Sequence, residues 1–104
     1  MVEVRSSEEL LKIMKVLANP VRLKIIASLE REPKHIYALA KELELSYPLV
    51  HLYLESLEKA GLVSGEMETG KNDERERKTY IVSQFNIHLT PSLIRELEED
   101  DRNG

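Results

Sequence analysis

The first sixty residues alternate between apolar positions at helical spacing and short polar breaks. The first apolar set follows a capping box, in which Ser6 stands three residues before Glu9. An Asn-Pro pair at 19–20 then supplies an N-cap and a proline for the first turn of a second helix. These signals predict one helix over about residues 6–18 and a second that ends near Arg31. Their apolar positions are Leu10, Leu11, Ile13, Met14, Leu17, Val21, Leu23, Ile25, Ile26 and Leu29.

A third and a fourth helix follow. The stretch 34–37 either pairs as a short edge strand or simply enters the third helix. Ser46 is the N-cap of the fourth helix, with Pro48 in its first turn, and Gly61 ends this helix as a left-handed residue. The apolar positions of the two helices are Ile36, Leu39, Ala40, Leu43, Val50, Leu54 and Leu57.

The last third of the chain changes period. Residues 62–67 and 78–83 have the pattern of two short strands, joined by a long, charged loop. Thr90 and the proline after it open a last helix, which runs to about residue 101 and carries Leu93, Ile94 and Leu97. The prediction is therefore one domain over residues 1–104, mainly α with a small β-hairpin (α+β), in the order ααααββα.

Two helices joined by a tight turn and followed by a hairpin are typical of a winged helix-turn-helix, whose second helix enters the major groove. Three segments strengthen this interpretation: LANPVRLKIIASL at 17–29, ALAKELELS at 38–46 and HLYLESLEKAGLV at 51–63. With Tyr80 in the second wing strand, they resemble the ArsR-type family of prokaryotic repressors over about residues 8–97. The resemblance implies a transcriptional regulator that binds double-stranded DNA as a homodimer and represses.

The first and last helices usually form the dimer interface in that family. The alternative is that these apolar residues close the core of a single chain. A chain of 104 residues with two amphipathic terminal helices has few places to bury both of them, which favours the dimer. The residues expected at the interface are Leu10, Leu11, Ile13, Met14, Leu93, Ile94 and Leu97.

A net charge of −4 argues mildly against a nucleic-acid partner until the charges are located. Residues 95–104 hold five acids and two arginines, so residues 1–94 carry a net charge of only −1. Phosphates respond to the local potential, so one basic face would be enough to bind them. The basic residues expected to contact phosphates are Arg22, Lys24, Lys34, Lys41, Lys71, Arg75, Arg77 and Lys78.

The fourth helix is poor in basic residues for a helix that reads DNA. Hydroxyl, phenol and imidazole groups form hydrogen bonds with base edges, and leucine packs against the thymine methyl group. The residues expected to read bases are Ser46, Tyr47, Leu49, His51 and Leu52. The family more often has an arginine at the position of Leu52, so strong guanine readout is not expected. The wing has five acids against four bases between Glu66 and Lys78, and the alternative is that it is only a solvated hairpin.

Other classes of protein find little support. The chain has no cysteine, and His35, His51 and His88 lack the spacing of metal ligands, so we expect no metal, no cofactor and no enzymatic activity. No apolar run has the roughly 18–20 residues that span a bilayer, and no signal peptide is evident, so a cytoplasmic location is expected. The sequence does not identify an effector.

A protein-interaction module is the competing interpretation, because winged helices also serve as docking domains. The apolar residues Leu49 and Leu52, with Tyr53, would then form the docking surface. The response to salt separates the two interpretations. Binding to DNA weakens steeply as salt rises, whereas binding through an apolar surface does not.

Overall fold

Five helices and three short strands make up the computed structural model, which describes residues 3–68 and 77–103. The predicted winged helix-turn-helix, mainly α with a small β-hairpin, is confirmed, and the hairpin is part of a three-stranded sheet. Lys71 and Arg75 lie outside the described residues, as does the tip of the wing. The elements are α1 Ser7–Leu17, α2 Pro20–Arg31, β1 Lys34–His35, α3 Ile36–Leu43, α4 Tyr47–Lys59, β2 Val63–Glu68, β3 Arg77–Val82 and α5 Pro91–Asn103.

Side-chain caps start four of the helices, as the sequence predicts. The Ser6 hydroxyl accepts a hydrogen bond from the Glu9 amide at 3.1 Å, and Asn19 Oδ1 accepts from the amides of Val21 and Arg22. The hydroxyls of Ser46 and Thr90 accept from amides three residues further on, in α4 and α5. Each cap satisfies backbone donors that have no partner inside the helix, so the helix starts are set locally.

A glycine ends α4, also as predicted. Gly61 has a φ of 76°, and its amide donates to the Glu58 carbonyl at 2.9 Å. The Leu62 amide donates to the Leu57 carbonyl at 2.9 Å, which completes a Schellman motif. Leu62 is therefore part of the helix stop rather than of the first wing strand, and β2 begins one residue later than predicted.

The sheet contains a strand in addition to the wing hairpin. Its order is β1-β3-β2, with both pairings antiparallel. Lys34 pairs with Tyr80, and Gly65 pairs with Tyr80 from the other side. Of the two alternatives for the stretch 34–37, the structure therefore shows both in succession: a two-residue strand and then the start of α3 at Ile36.

The core lies between the helix-turn-helix and the sheet, and α1 packs against it through Ile13. It holds α4 rigidly, because the whole inner face of that helix is fully buried at Val50, Leu54 and Leu57. The other fully buried side chains are Ile25, Ser28, Leu39 and Leu62.

The terminal helices contact each other, and their apolar residues divide into two groups. Leu10, Ile13 and Leu97 are buried within the chain, and the Ser7 hydroxyl donates a hydrogen bond from α1 to the Glu98 carboxylate of α5. A second group remains exposed on the same two helices, namely Leu11, Met14 and Ile94. Within the described residues, no helix is both long and apolar enough to cross a membrane.

Candidate nucleic-acid interface

The N-terminal half of α4 presents a mixed polar and apolar face to solvent. The inner face of α4 is buried in the core, and helical geometry therefore turns the intervening positions outward. All five residues predicted to read bases lie on this exposed face, and Leu52 is 62% exposed. The exposed set is Ser46, Tyr47, Leu49, His51 and Leu52.

Two contacts between aromatic rings involve this face, and one of them joins it to α3. The ring of Tyr37, in the first turn of α3, lies 4.8 Å from the ring of Tyr47 between centroids, with an interplanar angle of 40°. The imidazole of His51 lies nearly parallel to the Tyr47 ring, with 6.3 Å between ring centroids and an interplanar angle of 23°. Tyr37 was not among the predicted site residues. Its contact with Tyr47 joins two helices across a turn, and no periodic pattern within one helix indicates such a contact.

Arg22 is partly committed to contacts inside the chain. Its guanidinium lies over the ring of Tyr53 at 5.5 Å, and its Nη1 donates to the Val16 carbonyl at 3.3 Å. Its Nε is buried without a hydrogen-bond partner. Arg22 was predicted to contact phosphate, but the structure places much of its side chain between α2, α1 and α4.

Lys34 is also held inside the fold. Its Nζ donates to the carbonyl and the hydroxyl of Ser28, both at 2.8 Å, and lies 3.4 Å from a carboxylate oxygen of Glu42. Only 11% of its side chain is exposed. The Ser28 hydroxyl and then the positive charge of Lys34 lower the pKa of Glu42. The structure therefore places Lys34 as an anchor of β1 against α2 and α3.

Lys78 connects the wing to α4. Its Nζ lies 3.2 Å and 3.3 Å from the two carboxylate oxygens of Glu58 and 5.2 Å from the centroid of the Tyr80 ring. Burial alone would lower the pKa of Lys78, but the hydrogen bond to Glu58 and the nearby negative charge outweigh it, so the pKa is raised. The Lys78 side chain passes directly over Gly65 on its way to Glu58, and a Cβ at position 65 would overlap it.

Lys24 and Lys41 are the predicted phosphate-binding residues that remain exposed on helices. Among the residues that the structure describes, neither forms an ion pair. Arg77 begins β3, but its side chain lies outside the described part, as do Lys71 and Arg75 entirely. The described portion therefore brings together the residues predicted to read bases, and it leaves only part of the predicted phosphate-binding set available to a ligand.

Comparison with known proteins shows the family. A model described as bacterial regulatory protein, arsR family, matches residues 19–64. The chain is 37% identical over 93 residues to the uncharacterised HTH-type transcriptional regulator MJ0229 of Methanocaldococcus jannaschii. These 93 residues cover 89% of this chain and 96% of the relative. This protein belongs to the ArsR family of winged helix-turn-helix transcriptional regulators. Its family and fold are those of regulators and not of enzymes, as the sequence predicts.

Solved structures have the same architecture as this ArsR-family regulator. NolR from Sinorhizobium fredii is 25% identical, with a TM-score of 0.65 and coverage of 93% of this chain and 85% of that chain. HlyU from Vibrio cholerae is 24% identical, with a TM-score of 0.64 and coverage of 93% and 92%. The homodimeric winged helix-turn-helix DNA-binding domain of Mb0332 from Mycobacterium bovis is 20% identical, with a TM-score of 0.65 and coverage of 92% and 78%.

A polar cleft of about 400 Å³ separates the second half of α4 from the wing of this ArsR-family regulator. It carries both signs of charge, since two glutamates and one lysine of α4 line it together with Lys78 of β3. In the portion of the chain that the structure describes, no three His, Asp or Glu residues are grouped so that they could hold a metal ion. The residues that line the cleft are His51, Glu55, Glu58, Lys59, Lys78 and Tyr80.

Proposed function

We propose that this ArsR-family regulator is a repressor that binds specific sites in double-stranded DNA as a homodimer. The observation that carries the proposal is the exposed face of α4, on which Tyr47 and His51 stand beside Leu52 while the inner face of the helix is fully buried. A rigid helix with hydrogen-bonding and apolar groups on its outer N-terminal half is suited to reading base edges in the major groove.

Phosphate contacts supply much of the affinity of a DNA-binding protein, and few are available here. Lys24 and Lys41 are exposed, whereas Arg22, Lys34 and Lys78 have partners within the fold. The described charges therefore support modest nonspecific affinity and a shallow dependence on salt. The preference for a DNA sequence would then depend on α4. Any further phosphate contacts would come from Lys71, Arg75 and Arg77 of the wing.

Dimerisation through the terminal helices is supported by the apolar groups that α1 and α5 leave in solvent. Leu11, Met14 and Ile94 are exposed, although these two helices contact each other within the chain. Burying these side chains against a second copy would remove them from water at a gain of roughly 25 cal/mol per Å². A twofold dimer would place two α4 helices in successive major grooves, and blocking a promoter in this way would repress transcription.

The decisive experiment is a fluorescence-anisotropy titration. Fragments are first selected from genomic DNA by binding, and the best fragment is compared with a shuffled duplex of the same length. We expect tighter binding to the selected fragment at every salt concentration, with log K falling linearly as log salt rises. Equal affinity for both duplexes would contradict specific binding. Transcription in vitro from the selected site then tests repression, and an unchanged transcript level would contradict that part.

A docking module is the second candidate, favoured by the exposed leucines Leu49 and Leu52 on α4. A docking surface should bind its protein partner with little response to salt. If the chain binds neither duplex even at low salt, this candidate replaces the first.

A further inference from the structure

We propose that Tyr37 is a positioning residue for Tyr47, which it holds in the orientation that reads bases; this rests on the proposed function. Tyr37 lies on α3 and not on α4, the helix expected to read DNA, and it is 70% exposed. It is nevertheless in contact with Tyr47, with 4.8 Å between ring centroids, within the range in which aromatic pairs attract.

Tyr47 needs such support because of where it stands. It is the first residue of α4, and helix ends fray. Its side-chain cap is one hydrogen bond, which the Leu49 amide donates to the Ser46 hydroxyl at 3.4 Å, and this bond does not restrict the Tyr47 ring. An exposed tyrosine in the first turn would sample several side-chain rotamers, and each of them would have to be restricted when DNA binds.

Tyr37 stands on a firmer part of the backbone. The residue before it, Ile36, is buried in the core. One residue earlier, His35 pairs with Thr79 of β3, so the start of α3 is fixed to the sheet. A ring on this support packs against Tyr47 at 4.8 Å, closer than the His51 ring, which lies 6.3 Å from it. Tyr47 is thereby oriented before DNA arrives, and preorganised groups bind with a smaller entropic cost.

The same argument predicts that the ring of Tyr37, rather than its hydroxyl, is what matters. Tyr37→Phe keeps the packing surface, whereas Tyr37→Ala removes it. If Tyr37 instead contacted phosphate through its hydroxyl, both substitutions would remove that contact. Phe and Ala would then weaken binding to the same extent, and to all DNA sequences alike. The two variants therefore separate positioning from direct contact.

The test measures discrimination, defined as the affinity for the selected fragment divided by that for the shuffled duplex. We expect Tyr37→Ala to reduce discrimination about 3- to 10-fold with unchanged affinity for the shuffled duplex, and Tyr37→Phe to keep it. Leu23→Ala, which removes an exposed apolar side chain of α2, is the matched control and should behave as the wild type. In the Tyr47→Ala background, Tyr37→Ala should have no further effect.

Three results would overturn the inference: wild-type discrimination in Tyr37→Ala, a loss in Tyr37→Phe as large as in Tyr37→Ala, or losses that add in the double variant. Nuclear magnetic resonance of the free protein tests the packing without DNA. The Tyr47 ring signals should shift in Tyr37→Ala and stay near their wild-type positions in Tyr37→Phe. If the wild type itself shows no discrimination, the proposed function has failed, and unshifted Tyr47 signals would contradict the packing separately.

Discussion

Lys78 of the second wing strand and Glu58 of α4 form an ion pair with a separation of 3.2 Å, which joins the wing to the helix expected to read DNA. Both side chains are about one-third exposed, so solvent screens the pair and its contribution to stability is small. Its larger effect is electrostatic. The pair neutralises a wing lysine that the sequence predicts to contact phosphate.

Replacing Glu58 by glutamine should therefore increase the affinity for DNA. The change removes one negative charge and releases Lys78, so the log-log dependence of affinity on salt should steepen by up to about one. The free energy of unfolding should fall by less than about 1 kcal/mol. Glu96→Gln makes the same change of charge on α5 and is the control. Identical salt dependence in both variants would show that Lys78 does not face DNA.

Arg22 and Lys24 are two positions apart on α2, and we expect Arg22 to stabilise the fold and Lys24 to contact phosphate. Arg22→Ala removes the hydrogen bond to the Val16 carbonyl and the contact with the Tyr53 ring, and it should lower the free energy of unfolding by about 1–3 kcal/mol. Lys24→Ala should change stability by less than about 0.5 kcal/mol. In DNA titrations, Lys24→Ala should lower the salt slope by roughly one. Chemical denaturation that finds the two variants equally stable would contradict the structural role of Arg22.

Ile94 and Leu97 distinguish the dimer interface from the core of the chain. Ile94 is exposed, so Ile94→Asp should leave the fold intact and yield a monomer near 12.0 kDa by light scattering, against twice that mass for the wild type. Leu97 is buried, so Leu97→Ala should cost about 2–5 kcal/mol of stability. A wild-type mass near 12.0 kDa at micromolar concentration would contradict the dimer.

Glu42 should make stability depend on acid pH. The Ser28 hydroxyl and the Lys34 ammonium hold its folded-state pKa below the ordinary value of 4.5. The ionised carboxylate therefore adds stability above pH 4.5, and this contribution is lost as pH falls through the lower folded-state pKa. Glu42→Gln should be less stable than the wild type near neutral pH, and the difference should shrink in acid. Thermal unfolding across this range checks it, and a difference independent of pH would contradict it.

Ser28→Ala is the matched background for that measurement. It removes the group that lowers the pKa of Glu42 most, so in this background the effect of Glu42→Gln should depend less on pH. Unchanged pH dependence would show that Ser28 is not the cause.

The helix boundaries follow from the sequence because their causes lie within a few residues. Four helices are capped by side chains that accept from amides two or three positions away, namely those of Ser6, Asn19, Ser46 and Thr90. Gly61 by itself adopts the left-handed conformation that ends α4. Apolar spacing likewise predicts the inner face of α4. The order of helices and the winged helix-turn-helix could therefore be predicted, because capping and amphipathicity are local properties of the chain.

The tertiary structure decided what distant residues do to one another. The sequence left open whether the stretch 34–37 forms a strand, and β1 exists because Lys34 and His35 meet β3 more than forty residues away. A basic residue looks the same in sequence whether it faces solvent or a carboxylate. Only the fold shows that Arg22, Lys34 and Lys78 already have partners.

The apolar residues of the terminal helices illustrate the same limit, because their spacing predicts a buried face without saying what buries it. Packing within the chain covers Leu10 and Leu97 and leaves Ile94 in solvent. Tyr37 was missed for a related reason: its contact with Tyr47 joins two helices across a turn. Local sequence determined which segments form helices and where each helix ends. Long-range packing decided which side chains remain free to bind a ligand, because burial and pairing depend on residues that are distant in the sequence.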